Sequence, residues 1–269
     1  LLKIFEEKMA ELFINQAQQY AKARPKYPQE LFNFIASKTP ALDLVWDAGT
    51  GNGQAAQSLS TIYKNVVATD ASANQLELAP NLPNVRYHKT PPLMTMTELE
   101  ETVAGQSTVD LVSVAQALHW FDLPEFYRQA RWVLKKPHGV IAAWAYSIPS
   151  VNDSVDAVFV PFYRNVSDPF WEPERMLVEE KYMTIDFPFV AVEGEGGTGP
   201  FEFVNEVAMD LEGFLTHIRS WSAYQTAKKK GIELLTEERI AGFADAWNED
   251  GLEKKTVRFT IYLKIGRVG

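Results

Sequence analysis

The residues best suited to chemistry lie in the first third of the chain. Val45-Trp-Asp47-Ala-Gly49-Thr50-Gly51-Asn52-Gly53 places a glycine at every second position after an acid. Glycine tolerates positive φ and lets a ligand approach the backbone closely. The run follows an apolar stretch, Leu42-Asp-Leu-Val-Trp46, and precedes a helix-like segment from Gln54 to Tyr63. That strand-turn-helix setting gives a glycine-rich turn its meaning, and the GxGxG spacing differs from the GxGxxG of a nicotinamide-binding turn. The next apolar stretch, Val66-Val-Ala-Thr69, ends at Asp70. A carboxylate at such a strand tip can accept hydrogen bonds from both hydroxyls of a ribose, and would repel a 2′-phosphate. Either acid alone would be read as a turn cap. Two acids at successive strand ends, with the glycine loop between them, point to a nucleoside with a free 2′-OH.

A second group follows the fourth apolar stretch. Gln116-Ala-Leu-His119-Trp120-Phe-Asp122 sits where a strand's carboxyl end would face the same crevice. His119 could be a general base, a substrate contact or a structural donor, and all three readings stay open. Trp120 could wall a cavity or simply pack. His88, His138 and His217 show no metal-ligand spacing with one another or with nearby acids, so no metal is expected.

These residues need a scaffold. Residues 11–38 read as an N-terminal helical cap broken at Pro25 and Pro28. Strands are expected at 42–46, 66–70, 85–88, 109–114 and 140–145. Helices are expected at 54–63, 73–79, 95–103 and 123–134. This alternation predicts an α/β fold: a doubly wound, seven-stranded, mostly parallel sheet with helices on both faces. Residues 41–145 form its core. The rhythm breaks near Pro149, and residues 150–190 and 211–248 read as helical insertions forming a substrate lid. Residues 201–209 and 256–265 alternate and are expected to close the sheet as edge strands. No Pro/Gly/Ser linker marks a boundary, so residues 1–269 are read as a single domain, with 194–199 as a loop.

Composition narrows the classes. Of 269 residues, 46% are hydrophobic and 23% charged, ordinary for a globular chain, and the net charge is −9. Lys228-Lys-Lys230 is the one basic run and reads as a solvated helix end, so a nucleic-acid partner is not expected. No cysteine is present, which excludes disulfides, thiolate metal sites and Cys nucleophiles. No apolar run approaches the ~18 residues of a membrane helix. A cytoplasmic monomer or homodimer is expected. The triplets Asn152-Asp-Ser154 and Asn165-Val-Ser167 match a glycosylation acceptor pattern that is common by chance. Met9-Ala-Glu-Leu12 reads as a start site, and residues 1–8 carry no functional weight.

Asp47-Ala-Gly-Thr-Gly-Asn-Gly53 resembles motif I of class I S-adenosylmethionine-dependent methyltransferases, and Asp70 resembles their ribose acid. Tyr20-Ala-Lys-Ala-Arg24-Pro-Lys-Tyr27-Pro28 and Gln116 to Asp122 resemble signatures of the trans-aconitate methyltransferase-like group (methyltransferase type 11 domain). The likeness covers residues 11–145 well, and 210–224 less sharply. It departs after the third strand, where His88-Lys-Thr-Pro-Pro92 offers no acid for the adenine. The resemblance implies S-adenosylmethionine as cofactor, with no metal. It places Asp47 and Gly49, Thr50, Gly51, Asn52 and Gly53 at the methionine end, Asp70 at the ribose and Ala71 beside the adenine. It adds Gln75, Gln116 and His119 as cofactor contacts, and Tyr20 and Arg24 as a cover over the cofactor. Arg24 could equally form a structural salt bridge. The acceptor is expected to be a small molecule, methylated on a carboxylate or hydroxyl oxygen, with Trp120, Phe162, Trp171, Trp221 and Tyr224 as substrate contacts. Alternatives are a non-catalytic cofactor-binding protein, a methyltransferase of macromolecules and, more distantly, a nicotinamide-dependent oxidoreductase.

Overall fold

The computed structural model describes residues 26–269. Tyr20 and Arg24, and the cap over 11–25, lie outside the described residues. The chain divides into two compact units. The larger holds Lys26–Ser147, Met176–Val204 and Thr260–Gly269, and the smaller takes in Ile148–Arg175 and Asn205–Phe259.

In the larger unit α1 (Gln29–Lys38) leads into β1 (Leu44–Ala48), α2 (Gln54–Leu59), β2 (Asn65–Asp70), α3 (Ala73–Leu76) and β3 (Val85–Lys89). Then come α4 (Met96–Thr102), β4 (Leu111–Ala115), a 3₁₀ turn (Leu118–Trp120), α5 (Leu123–Val133) and β5 (Val140–Tyr146). β6 (Phe201–Met209) and β7 (Lys255–Arg267) complete a seven-stranded sheet ordered β3-β2-β1-β4-β5-β7-β6. β1 to β5 pair in parallel, and β7 runs antiparallel to β5. The expectation that 256–265 forms an edge strand is corrected: β7 lies inside the sheet and β6 is the edge. Alternation shows only that one face is apolar; it does not say which strand is the neighbour.

Parallel strands covered on both faces read as continuous apolar runs, because both sides of the pleat are buried. Trp46, Val67, Val112, Val114, Ile141 and Ala143 point to one face, where they pack with Leu99 of α4 and Phe126, Ala130 and Val133 of α5. Val45, Val66, Ala68, Leu111, Val140, Ala142 and Trp144 point to the other, with Leu31, Phe32 and Ile35 of α1 and Ala55, Ala56 and Leu59 of α2. The chain winds outward from β1 to β3 on one side and from β4 to β5 on the other. β1 and β4 therefore flank the switch point, and the loops at their carboxyl ends open onto the crevice where such sheets bind ligands.

The smaller unit is helical. α6 (Asp153–Pro161) runs into a π turn (Phe162–Val166) and a 3₁₀ turn (Asp168–Phe170). α8 (Leu211–Arg219), α9 (Ser222–Lys229) and α10 (Glu237–Asn248) follow after β6. A short α7 (Arg175–Glu179) begins at the last residue of this unit and continues into the larger one. The helical segment expected over 211–248 comprises three helices, split at Ser220-Trp221 and between Gly231 and Thr236. The Lys228–Lys230 run is exposed at the end of α9.

Candidate active site

The loop after β1 is fixed from both sides. Gly49, Gly51 and Gly53 take φ of 69°, 57° and 79°, the left-handed region that other residues adopt only with strain. The amides of Gly49 and Thr50 both donate to the Thr69 carbonyl on β2, at 2.9 and 3.0 Å. Gly53 donates to the Thr50 carbonyl. A side chain at Gly49 would strike Ala117 of the loop after β4, its Cβ landing 2.6 Å from that of Ala117. One at Gly53 would meet the Tyr87 hydroxyl at 2.7 Å. Gly51 differs: a Cβ there would find only the Gln75 Oε1 within 4 Å, at 3.8 Å. The loop is thus closed against the protein at its two ends and open at its middle.

Two carboxylates hold this loop. Asp70, at the tip of β2, accepts from the Gly51 amide through Oδ2 and from the Ser72 amide through Oδ1, both at 2.8 Å. Asp70 therefore does what a turn-capping acid does. Each oxygen still keeps a second lone pair, so the carboxylate can accept two further donors. Asp47 is fully buried and accepts from the Thr50 hydroxyl at 2.6 Å and the Ser113 hydroxyl at 2.7 Å. Burial pushes its carboxyl up to about 6; the two hydroxyl hydrogen bonds pull the other way, and the nearby Asp70 charge adds to the rise. Ser113, on β4, and Tyr87, on β3, are the partners that sequence spacing did not reveal. Tyr87 has a buried hydroxyl without a hydrogen-bond partner among the described residues, and burial pushes its pKa to about 12.

Across the switch point, Gln116 takes φ of 58° and its amide donates to the Trp144 carbonyl at 2.8 Å. Its side-chain Nε2 is buried with no partner among the described residues. His119 is half-buried, and its Nδ1 lies 2.9 Å from the Tyr182 hydroxyl. Trp120 stands beside it, ring centroids 4.8 Å apart, and is 54% exposed. Asn52 and Gln75 are half-buried near the loop, and Ala71 is exposed just past Asp70. The structure thus brings together Asp47, the glycine loop, Asp70 and Gln75. It sets the Gln116–Trp120 segment against Gly49 through Ala117.

The expected substrate residues of the smaller unit form its core. Phe162, Trp221 and Tyr224 are buried. Trp221 packs against Phe159, Phe162, Tyr163 and Trp171, with centroids 5.5–6.4 Å apart. The Tyr224 hydroxyl donates to Glu233 at 2.6 Å. Trp171 is half-buried, and the Arg175 guanidinium stacks over it at 5.0 Å while donating to the Tyr163 hydroxyl at 3.1 Å. Arg175 was not singled out from sequence.

Among known proteins, residues 46–143 match the model of a methyltransferase domain. A candidate methyltransferase of Dictyostelium discoideum is 27% identical over 97% of this chain and 96% of its own. A probable S-adenosylmethionine-dependent methyltransferase of Saccharomyces cerevisiae is 24% identical over 78% of this chain and 79% of its own. A solved structure from Anaeromyxobacter dehalogenans, named as a candidate type II methyltransferase, is 31% identical with a TM-score of 0.76, covering 91% of this chain and 97% of that one. The chain belongs to the class I S-adenosylmethionine-dependent methyltransferases. The methyltransferase thus uses a nucleoside cofactor, which the acids at the ends of β1 and β2 suit. No helix among its described residues is long and apolar enough to cross a membrane. No cluster of three or more His, Asp or Glu residues that could hold a metal ion occurs among them.

Proposed function

We propose that this methyltransferase acts on a small molecule, at a carboxylate or hydroxyl oxygen, and that it belongs with the trans-aconitate methyltransferase-like group. The observation that carries the site assignment is Gly51, tied to Asp70 yet open where a Cβ would stand. The residues fit the cofactor. Asp70 has two lone pairs left for the ribose hydroxyls, and Gly51 lets the ligand lie against backbone. Asp47, buried and with a raised pKa, suits the cationic amine of the methionine end. Gln116 Nε2 is a buried donor with capacity to spare. The amides of Gly49, Thr50, Gly51 and Gly53 already donate inside the fold, so the loop contributes close approach and carbonyl oxygens.

When bound, S-adenosylmethionine supplies a methyl group on a sulfonium, whose C–S electron pair returns to sulfur as an acceptor lone pair bonds the methyl. The protein's contribution is alignment, because the leaving group is already activated. A carboxylate acceptor is ionised at neutral pH and gives up no proton. A hydroxyl acceptor must lose one, and His119 is the imidazole of the β4 loop that would receive it. Acceptor selection is assigned to accessible rings, Trp171 in the smaller unit and Trp120 on the β4 loop of the larger one. The net charge of −9 and the scattered basic residues count against a nucleic-acid partner.

The test is transfer of label from methyl-labelled S-adenosylmethionine into a cell extract split into metabolite, protein and RNA fractions. Label is expected in the metabolite fraction, and its release by mild base would mark a methyl ester. Label only in protein or RNA would overturn the small-molecule reading.

A further inference from the structure

Arg175 carries a charge that no described residue answers. It is half-buried, and its guanidinium lies over two rings, 5.0 Å from the centroid of Trp171 and 5.8 Å from that of Tyr163. Nε donates to the Tyr163 hydroxyl at 3.1 Å. Nη1 and Nη2, the two ends of the fork, make no hydrogen bond or ion pair among the described residues. Asp168, Glu172 and Glu174 are close in sequence and exposed, yet none of them pairs with it. The other half-buried arginines among the described residues each spend a terminal nitrogen. Arg219 spends one on Glu212, Arg131 and Arg239 on the carbonyls of Pro188 and Leu234, and Arg267 on the His138 ring.

The local fold prepares this fork. Ser167 is fully buried; its hydroxyl donates to the Tyr163 carbonyl at 2.6 Å and accepts from Trp171 Nε1 at 3.1 Å, which pins the indole. The amides of Trp171 and Arg175 donate to Asp168 O and Glu172 O, at 3.2 and 3.0 Å, and turn the chain so that the side chain four positions on covers the ring. Stacking holds a guanidinium flat and leaves its N–H edge to other partners, and that planar edge matches the two oxygens of a carboxylate. Ordering so long a side chain costs entropy, and here the ordering precedes any ligand.

We propose that Arg175 is a binding residue for a carboxylate of the acceptor, held by Nη1 and Nη2, with the apolar part of the molecule against the accessible part of the Trp171 ring. This rests on the reading of Trp171 as a ring that selects the acceptor, and it adds that the methylated oxygen is a different one. A carboxylate clamped by two N–H groups has lone pairs engaged and its charge drawn toward the cation, which weakens it as a nucleophile. The acceptor is therefore an acid with a second oxygen function, and its product keeps the charge that Arg175 holds.

The experiment measures benzoate binding to the full chain by calorimetry. Benzamide serves as the uncharged molecule of the same shape, and inorganic phosphate as an anion without a ring. Benzoate is expected to bind about 10-fold or more tightly than either. Arg175→Gln should lose that preference, and Arg175→Lys, which keeps the charge without the fork, should lose most of it. Benzoate binding no better than benzamide, or a preference that survives in Arg175→Gln, would overturn the proposal. Phosphate binding as tightly as benzoate would also overturn it, by reducing the site to a general contact for anions. Should Arg175→Gln not fold, which circular dichroism reads, Arg175→Lys carries the test, and full preference there would overturn the role of the fork. The label-transfer assay keeps the two readings apart. The labelled metabolite should be retained by an anion exchanger at neutral pH, before any treatment with base. A neutral labelled product would overturn this inference alone. Label only in protein or RNA, with the preference for benzoate intact, would count against the small-molecule reading and not against the carboxylate site.

Discussion

Asp70 and Trp221 stand for two ways of building a functional region. Asp70 is held by the amides of Gly51 and Ser72, and Asp47 by the hydroxyls of Thr50 and Ser113, so the polar loop is fixed by short, directional bonds. Trp221 is held by the rings of Phe159, Phe162, Tyr163 and Trp171, and the helical unit is fixed by packing, which has no preferred direction. Directional bonds tolerate little change in residue type but leave the surrounding fold intact when one is cut. A ring cluster accepts many shapes, but losing a central member opens a cavity. The first kind of region suits a cofactor of constant structure, the second an acceptor that differs among enzymes of one fold.

The largest effect is expected where the ring cluster is broken. Trp221→Ala removes a buried indole, and such truncations cost about 3–5 kcal/mol. That is a large part of an ordinary stability of ~5–15 kcal/mol. Urea unfolding should show it as a lowered midpoint. Trp171→Ala, at a half-buried ring, should cost much less stability and instead raise the acceptor KM, with S-adenosylhomocysteine affinity unchanged. If Trp221→Ala left stability intact and raised only KM, Trp221 would be a ligand contact, and the contrast between the two regions would fail.

Next comes the loop. If Asp70 holds the ribose as proposed, Asp70→Ala removes two hydrogen bonds to a charged group, about 1.5–3 kcal/mol each, and also releases Gly51. S-adenosylhomocysteine affinity measured by calorimetry should fall by roughly 100-fold or more, with little change in the urea midpoint. Near-normal affinity would mean that Asp70 serves only its two backbone amides.

This division also explains what the sequence could reveal. Asp47, the three glycines and Asp70 lie within 24 residues, and a glycine turn between a strand and a helix specifies its own geometry. The parallel core was legible for the same reason, since continuous apolar runs mark strands buried on both faces. Ser113 beneath Asp47, Tyr87 beneath Gly53 and Tyr182 against His119 come from distant segments. No local pattern encodes such meetings. The interior position of β7 was hidden because alternation fixes a face but not a neighbour. In the aromatic unit, ring-rich helices look alike whether their rings line a cavity or fill a core, and Phe162, Trp221 and Tyr224 fill it.

Asp47 allows the polar side to be tested by pH. Its carboxyl stands at about 6 in the folded chain, above the 3.8 of an unfolded aspartate. The unfolded chain therefore releases this proton first as pH rises. Asp47 lowers stability progressively between about pH 4 and 6, by up to ~3 kcal/mol, and by a constant amount above that. Burial sets the value, with Thr50, Ser113, Asp70 and the Ala56 backbone amide as the neighbours that adjust it. Asp47→Asn has no such proton. The stability of the unmodified protein relative to Asp47→Asn should fall across that window and then level off, with no cofactor present. A pH-independent difference would show that Asp47 is ionised at little cost, and would remove the reason for assigning it the cofactor's amine.

The smallest effect on the fold is expected at Trp120, and there the two kinds of region come closest in character. Its ring belongs to the polar β4 loop, lies 4.8 Å from the His119 ring, and is more than half exposed. A side chain that already meets water contributes little to stability, so Trp120→Ala should shift the unfolding free energy by no more than ~0.5 kcal/mol. An indole beside a hydrogen-bonding histidine can still supply apolar area and a π face to an acceptor, and covering that area would be worth about 1–2 kcal/mol at ~25 cal/mol per Å². The acceptor KM should therefore rise about 5- to 30-fold, with kcat and S-adenosylhomocysteine affinity little changed. A fall in kcat at constant KM would tie Trp120 to the alignment of His119 instead, while no kinetic change would place acceptor recognition wholly in the ring cluster.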